Sequence, residues 1–339
     1  MAIEDFTTYT EVDPNSRITV ISTRVTWSSL TKNEDAYVYD DKGAGYFAGS
    51  FEIKFTANLT ASQGGNPSNR IQICALANAI DDGQGIILAN EDMLSVFFSI
   101  PSSGTPSIFL EECDGGSTYS GGSYVCSENT DYYITLLRDE GVGTYGTLYC
   151  YIYSDSSRTN LLDTLTVTLH SSKKDFQYLY VCQSFNTGQS ITTSGYVDSV
   201  EITLGSAPTV TTQAVTNISG TTATGNGTIT SLGFPNPSAH GVCWNTTGTP
   251  TTADSKTDEG AASATGAFTS SMTGLVDGTK YYVRAYATNS EGTGYGAETS
   301  FRAGIPIGSE VSGVFEVVET RLHYVDAYGN ERYIEGTLV

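Results

Sequence analysis

The chain has 339 residues and a net charge of −21, with a pI near 4.3. That length suits two domains and an appendage. So acidic a chain is a poor fit to roles in which Lys and Arg neutralise phosphates, and this excludes nucleic-acid binding and attachment to an anionic membrane surface.

The 36 Gly and 22 Tyr against only 3 Met suit short strands and many turns. No long stretch carries the 3.6-residue period of an amphipathic helix, so the chain reads as all-β. The N-terminus, MAIEDFTTYT, has neither a basic start nor an apolar run and predicts no signal peptide. No segment is long and apolar enough to span a bilayer, so no membrane insertion is expected.

Residues 1–205 alternate strand-like runs with turn clusters, among them GSFEIKFTANL, MLSVFFSI, GTLYCYIYS and SGYVDSVEITL. In the first, Phe51, Ile53 and Phe55 share one face, while Glu52, Lys54 and Thr56 share the other. About eleven strands over about 200 residues exceed an immunoglobulin-sized sandwich and suit a larger two-sheet jelly roll. This region also holds 25 of the 37 acidic residues against 10 of the 16 basic ones. Solubility explains such an excess, and Ca²⁺ held by some of the carboxylates is the alternative. The stretches YVYDDKGAGYFAGSFEIKF, YYITLLRDEGVGTYGTLYCYIYSD and SGYVDSVEITL resemble the concanavalin A-like lectin/glucanase sandwich, as in laminin-G-like modules. The resemblance covers nearly all of residues 1–205 through strand order and flavour, without a diagnostic motif.

The stretch LGSAPTVTT reads as a linker punctuated by Gly205 and Pro208. Residues 206–304 follow, carrying GLVDGTKYYVRAYATNSEGTGYGAETSF. Leu275, Gly278, Thr279, Tyr281 and Val283 in that stretch resemble the L-x-x-G-T-x-Y-x-V pattern of fibronectin type III domains, in a form similar to repeats of Bacteroidetes and phage surface proteins. The resemblance implies a second, smaller sandwich in which the Tyr281 hydroxyl ties strand to loop.

Residues 305–339 end in RLHYVDAYGNERYIEG, which reads as a β-hairpin around residues 326–330. A lone hairpin is marginal in water. Yet this piece is rich in apolar residues, among them Phe315, Val317, Leu322, Tyr324, Tyr333 and Ile334. It is expected to dock on another chain, with docking on its own domains the alternative.

Six cysteines lie at positions 74, 113, 126, 150, 182 and 243, with no C-x-x-C pair to suggest zinc. Cys113 and Cys126 flank a Gly-rich turn, where a disulfide is one reading. The three histidines, His170, His240 and His323, fall in unrelated segments and read as surface or packing residues. No serine or cysteine sits in a nucleophile context. Glycosidases need two carboxylates straddling the scissile bond. Glu112 and Asp114 begin the E-x-D-x-x-E pattern of the concanavalin-like glucanases, but Ser117 stands where its third carboxylate belongs. They read as the polar outer face of an edge hairpin, and no enzyme is expected.

The run LYCYIYS sets Tyr149, Tyr151 and Tyr153 against Leu148, Cys150 and Ile152. If the aliphatic side is core, the tyrosines line an outer sheet face that suits the apolar faces of sugars. A sheet covered on both sides is the alternative. Tyr37 and Tyr39 in AYVYD are expected to extend that surface. Asp40, Asp41 and Asp198 are the candidate ligands of a structural Ca²⁺, with ordinary Asp-Gly turns as the alternative, and no cofactor is certain.

Together these features lead to an expectation of a non-enzymatic structural protein of a virion or extracellular surface, of the phage head-fibre, decoration or tail-fibre type. Its lectin-like domain would meet cell-surface glycans, its C-terminal segment would meet other assembly proteins, and it would form a homo-oligomer. A secreted carbohydrate-binding module or glycoside hydrolase, and an extracellular filament subunit, are the alternatives.

Overall fold

The computed structural model of the chain describes residues 3–66, 68–171, 175–304, 321–325 and 331–335. The chain divides into two compact units, 1–205 and 206–339. The strands of the first are β1 (Thr10–Val12), β2 (Ile18–Ile21), β3 (Arg24–Lys32), β4 (Tyr37–Asp41), β5 (Phe51–Ser62), β6 (Asn69–Ala77) and β7 (Met93–Ile100), followed by β8 (Ser107–Asp114), β9 (Ser117–Val125), β10 (Tyr132–Asp139), β11 (Thr147–Tyr153), β12 (Leu161–Thr168), β13 (Tyr178–Ser184) and β14 (Gln189–Leu204).

They form two seven-stranded antiparallel sheets. Sheet A runs β12-β11-β10-β5-β14-β3-β2, and sheet B runs β1-β4-β13-β6-β7-β8-β9. The chain crosses repeatedly between the sheets, which is the jelly-roll way of closing a large sandwich. Between them lies one apolar core that includes Trp27, Val38, Phe51, Ile53, Phe55, Ile73, Val96, Phe98, Leu136, Cys150, Ile152 and Val181. The two-residue period of each strand aims these side chains inward and their neighbours outward.

One short helix, α1 (Gly83–Leu88), interrupts the strands. The sequence predicts only an Asp-Gly turn at Asp81-Asp82-Gly83. Asp82 is the N-cap: its carboxylate accepts from the N–H groups of Gln84 at 3.3 Å and Gly85 at 2.8 Å. Six residues are too few to show a helical period, so the helix escapes a periodicity search.

All six cysteines are free and buried. The Cys113–Cys126 disulfide reading is therefore overturned. Cys113 packs on the outer face of sheet B with Ala75, Met93 and Tyr180, whereas Cys126 sits in the inter-sheet core. Across the hairpin Cys113 is paired with Thr118.

The second unit contains β15 (Thr209–Thr216), β16 (Ala223–Ser231), β17 (Ala239–Asn245), β18 (Ser255–Lys256), β19 (Gly266–Met272), β20 (Lys280–Asn289), β21 (Gly292–Tyr295) and β22 (Thr299–Arg302). One sheet runs β15-β16-β19; the other runs β18-β17-β20-β21, with β22 also on β20. Val242, Trp244, Met272, Leu275, Val283 and Phe301 form its core. The Tyr281 hydroxyl accepts from the Val276 N–H at 3.0 Å, tying β20 to the loop before it. Further on, β23 (Arg321–Val325) and β24 (Glu331–Glu335) pair antiparallel, with Leu322 opposite Ile334 and His323 opposite Tyr333.

Candidate functional site

The outer face of sheet A is built by alternation on β11. Leu148, Cys150 and Ile152 are wholly buried in the core. Tyr149, Tyr151 and Tyr153 therefore point outward, each half-buried. Antiparallel register extends this row across the sheet: Tyr151 lies opposite Thr164 on β12 and Thr135 on β10, and Thr135 lies opposite Lys54 on β5. The neighbouring row runs from Tyr149 through Leu137 to Glu52. The rings of Tyr149 and Tyr151 lie 6.0 Å apart and 14° from parallel.

A groove of about 420 Å³ opens on this face, lined by Glu52, Lys54, Thr135, Tyr151, Tyr153, Ser157 and Arg158. Its volume is in the range of sites that take small ligands. Lys54 Nζ is 2.5 Å from Glu52 Oε1, so these two charges largely cancel. Burial, then the neighbouring phenols of Tyr149 and Tyr153, pushes the Tyr151 hydroxyl up from its ordinary value, so it stays a neutral donor. The face thus offers aromatic surface, hydroxyl groups, one internally balanced ion pair and one guanidinium, but no group activated as a nucleophile.

The loop after β11 supplies the rim. The Asp155 carboxylate accepts from the Ser157 hydroxyl, the Asn160 N–H at 2.6 Å and the Thr159 N–H at 3.2 Å. These bonds, the one from Ser157 foremost, hold Asp155 well below the usual carboxylate range. The turn so formed places Arg158 at φ 53°, a left-handed conformation uncommon outside glycine. From there its Nη2 reaches the Phe55 carbonyl on β5 at 3.3 Å. Glu52 and Lys54 were already legible as the polar face of FEIKF; Arg158 carried no signal, because a turn residue reaches the groove only through the fold.

The other expected tyrosines do not extend this surface. Tyr37 and Tyr39 lie on β4, in sheet B, with Val38 between them in the core. They face outward from the opposite side of the sandwich and pack there against Tyr178 and Tyr180. Nor do the Ca²⁺ candidates converge. Asp40 is paired with Lys42 at 2.8 Å, and Asp198 with Arg24 at 2.5 Å. Asp41 accepts from Gly43 N–H and Gln177 Nε2. Among the described residues no group of three or more His, Cys, Asp or Glu is arranged to hold a metal ion. These donors, already matched by protein cations and amides, do not fit a Ca²⁺ site.

Glu112 is also not where the sequence reading puts it. The β8–β9 hairpin does lie at the sheet edge, but Glu112 is wholly buried, on the core-facing side of β8 with Ile108 and Leu110. Both its oxygens accept from the His170 N–H at 3.1 Å, and Oε2 lies 2.8 Å from His170 Nδ1. The imidazole stacks on Tyr119 with ring centroids 3.7 Å apart. Asp114 accepts from the Ser171 hydroxyl at 2.8 Å. Residues separated by some sixty positions meet because the chain end after β12 passes β8 and β9, a closure no local pattern reveals.

Of the expected assembly residues, Phe315 and Val317 lie outside the described residues, as do the side chains of Leu322, Tyr324, Tyr333 and Ile334. Among the described residues no helix is long and apolar enough to cross a membrane, which says nothing of strands.

No protein-family model matches the chain, and no curated protein matches it. Solved structures do. Alginate lyase Aly36B in complex with an alginate trisaccharide is similar at a TM-score of 0.41 and 13% identity, covering 58% of this chain and 88% of the lyase. The exoplasmic/lumenal domain of VIP36 in a Ca²⁺-bound form is similar at a TM-score of 0.38 and 8% identity, over 59% of this chain and 86% of that one. Tailspike protein 2 of the Escherichia coli O157:H7 bacteriophage CAB120 gives a TM-score of 0.31 and 14% identity, over 59% of this chain but only 25% of the tailspike. At such scores none of these likenesses bears on what this chain binds or does.

Proposed function

We propose that this chain is a non-enzymatic structural protein of a virion or extracellular surface. Its first unit binds glycans through the outer face of sheet A, and its C-terminal segment attaches it to other assembly proteins or to further copies of itself. The observation that carries the glycan part is the open groove lined by Tyr151 and Tyr153, with Thr135 and Arg158 beside them. Pyranose rings present apolar faces that suit phenol rings, and their hydroxyls suit neighbouring polar groups. The attachment part rests on the marginal stability of a hairpin with strands of five residues each.

Two measurements test it. A broad glycan array probed with the full chain should give binders that Tyr151→Ala loses; no binder for the wild type removes the platform. Deleting residues 309–339 should abolish oligomer formation or incorporation into particles, whereas unchanged incorporation refutes the attachment role.

One observation favours a second reading, a carbohydrate-active enzyme: the buried Glu112 oriented against the half-exposed His170. Against it, both Glu112 oxygens are engaged by His170, and Glu112 is wholly buried rather than open to a cleft in which two carboxylates could straddle a glycosidic bond. Hydrolysis of a β-glucan that Glu112→Gln abolishes would make the enzyme the better reading.

A further inference from the structure

Arg158 lines the groove on sheet A without a carboxylate partner. The chain carries 37 acidic residues against 16 Lys and Arg, so carboxylates are abundant. Arg24, Lys42, Lys54, Arg70 and Arg138 all pair with one. Among the described residues Arg158 pairs with none. Its guanidinium donates only to two backbone carbonyls, Ser156 at 3.4 Å and Phe55 at 3.3 Å, and its Nε is buried without a partner. The carboxylates of Glu201 and Glu52 act on it electrostatically, but neither forms an ion pair with it, and Glu52 is held by Lys54.

A half-buried guanidinium without a counter-ion is costly unless something satisfies it. Burial lowers its affinity for the proton, although the Glu201 and Glu52 carboxylates act the other way. The Asp155 turn holds its backbone in the left-handed region, and its Nη2 reaches back to the Phe55 carbonyl on β5. The groove it lines has Tyr151 and Tyr153 on the same wall. A planar fork of N–H donors matches a carboxylate in both charge and shape.

We infer that the groove on sheet A takes an acidic saccharide, one bearing a carboxylate on the ring, with that carboxylate on Arg158 and the apolar face of the sugar on Tyr151. The inference rests on the glycan-binding reading and narrows it to a ligand class. The net charge of −21 repels such a ligand at long range. Affinity therefore depends on the short-range fork at Arg158 and the aromatic contact rather than on steering.

The experiment is calorimetric titration of the full chain with oligogalacturonate and with hyaluronan oligosaccharides, each against its carboxyl-reduced, neutral counterpart. Wild type should bind at least one acidic form tenfold or more tightly than the reduced form. Arg158→Gln should erase that preference, Arg158→Lys should keep only part of it, and Tyr151→Ala should weaken both forms. The thermal midpoint of each variant shows whether it is folded. Equal binding of acidic and reduced forms, unaffected by Arg158→Gln but lost in Tyr151→Ala, overturns the acidic-ligand inference and leaves the glycan reading standing. Binding of neither form by the folded wild type overturns the inference as well; if the array also yields no binder, the glycan reading falls with it.

Discussion

The two outer faces of the sandwich start from the same kind of sequence and end differently. LYCYIYS on β11 and AYVYD with LYV on β4 and β13 all alternate tyrosine with an aliphatic or small residue, and in each the aliphatic side enters the core. On sheet A the tyrosines stay half-exposed along an open groove. On sheet B, Tyr180 is wholly buried, as are Ala75, Ala77 and Met93, beneath Ile86 of α1. The Tyr180 hydroxyl donates to the Ala79 carbonyl at 2.8 Å, at the start of the segment that carries α1. Gly83 lets the helix lie against the sheet, because a Cβ there would come within 2.3 Å of the Gln72 amide. A tyrosine row is thus a ligand surface or a second core, according to what the chain lays over it.

Carboxylates beside the two faces differ in the same way. Asp155, exposed on the rim of the open face, is pulled low by hydrogen bonds. Asp82, covered at the start of α1, is pushed up to about 6 by burial, although backbone N–H groups pull it the other way. Hydrogen bonding wins where water still solvates the charge, and desolvation wins where it does not.

The contrast is broken most sharply by one substitution made on each face. Tyr180→Ala should cost about 3–5 kcal/mol, because it removes a buried ring and its hydrogen bond. Tyr151→Ala should cost under about 1 kcal/mol, because water already reaches that ring. Equal losses in urea unfolding would mean that the two faces are equally covered. Next, Ile86→Ala should destabilise by about 2–4 kcal/mol, since its side chain fills the space between helix and sheet. A loss near zero would show that α1 is not a seal.

A smaller effect than the losses expected on the covered face concerns pH. The folded pKa of Asp82, about 6, lies above the ordinary carboxylate value. The folded state then holds more protons than the unfolded one in that window, so this group's contribution to stability falls as pH rises from about 4 to about 6. Asp82→Asn keeps one side-chain oxygen for the Gly85 N–H, gives up the second acceptor that serves Gln84 and Asn186, and cannot ionise. It should therefore remove a decline on the order of 2 kcal/mol from the stability profile. Parallel profiles for the two proteins would place Asp82 in water instead.

The all-β class, the break near Gly205 and the inward faces of β5 and β11 were all legible in the sequence. Each follows from local rules: two-residue alternation, turn chemistry and the absence of a helical period. Those rules also mark Tyr149, Tyr151 and Tyr153 as one face, and Glu52 and Lys54 as another. Which sheet a strand joins, what covers its outer side, and which distant residue reaches across depend on long-range closure. Hence Tyr37 and Tyr39 left the expected surface, Glu112 moved from an outer face to the core beside His170, and Arg158 entered the groove unannounced. Strand periodicity is a property of neighbours along the chain, whereas burial and electrostatic company are properties of neighbours in space, and only the folded chain brings those together.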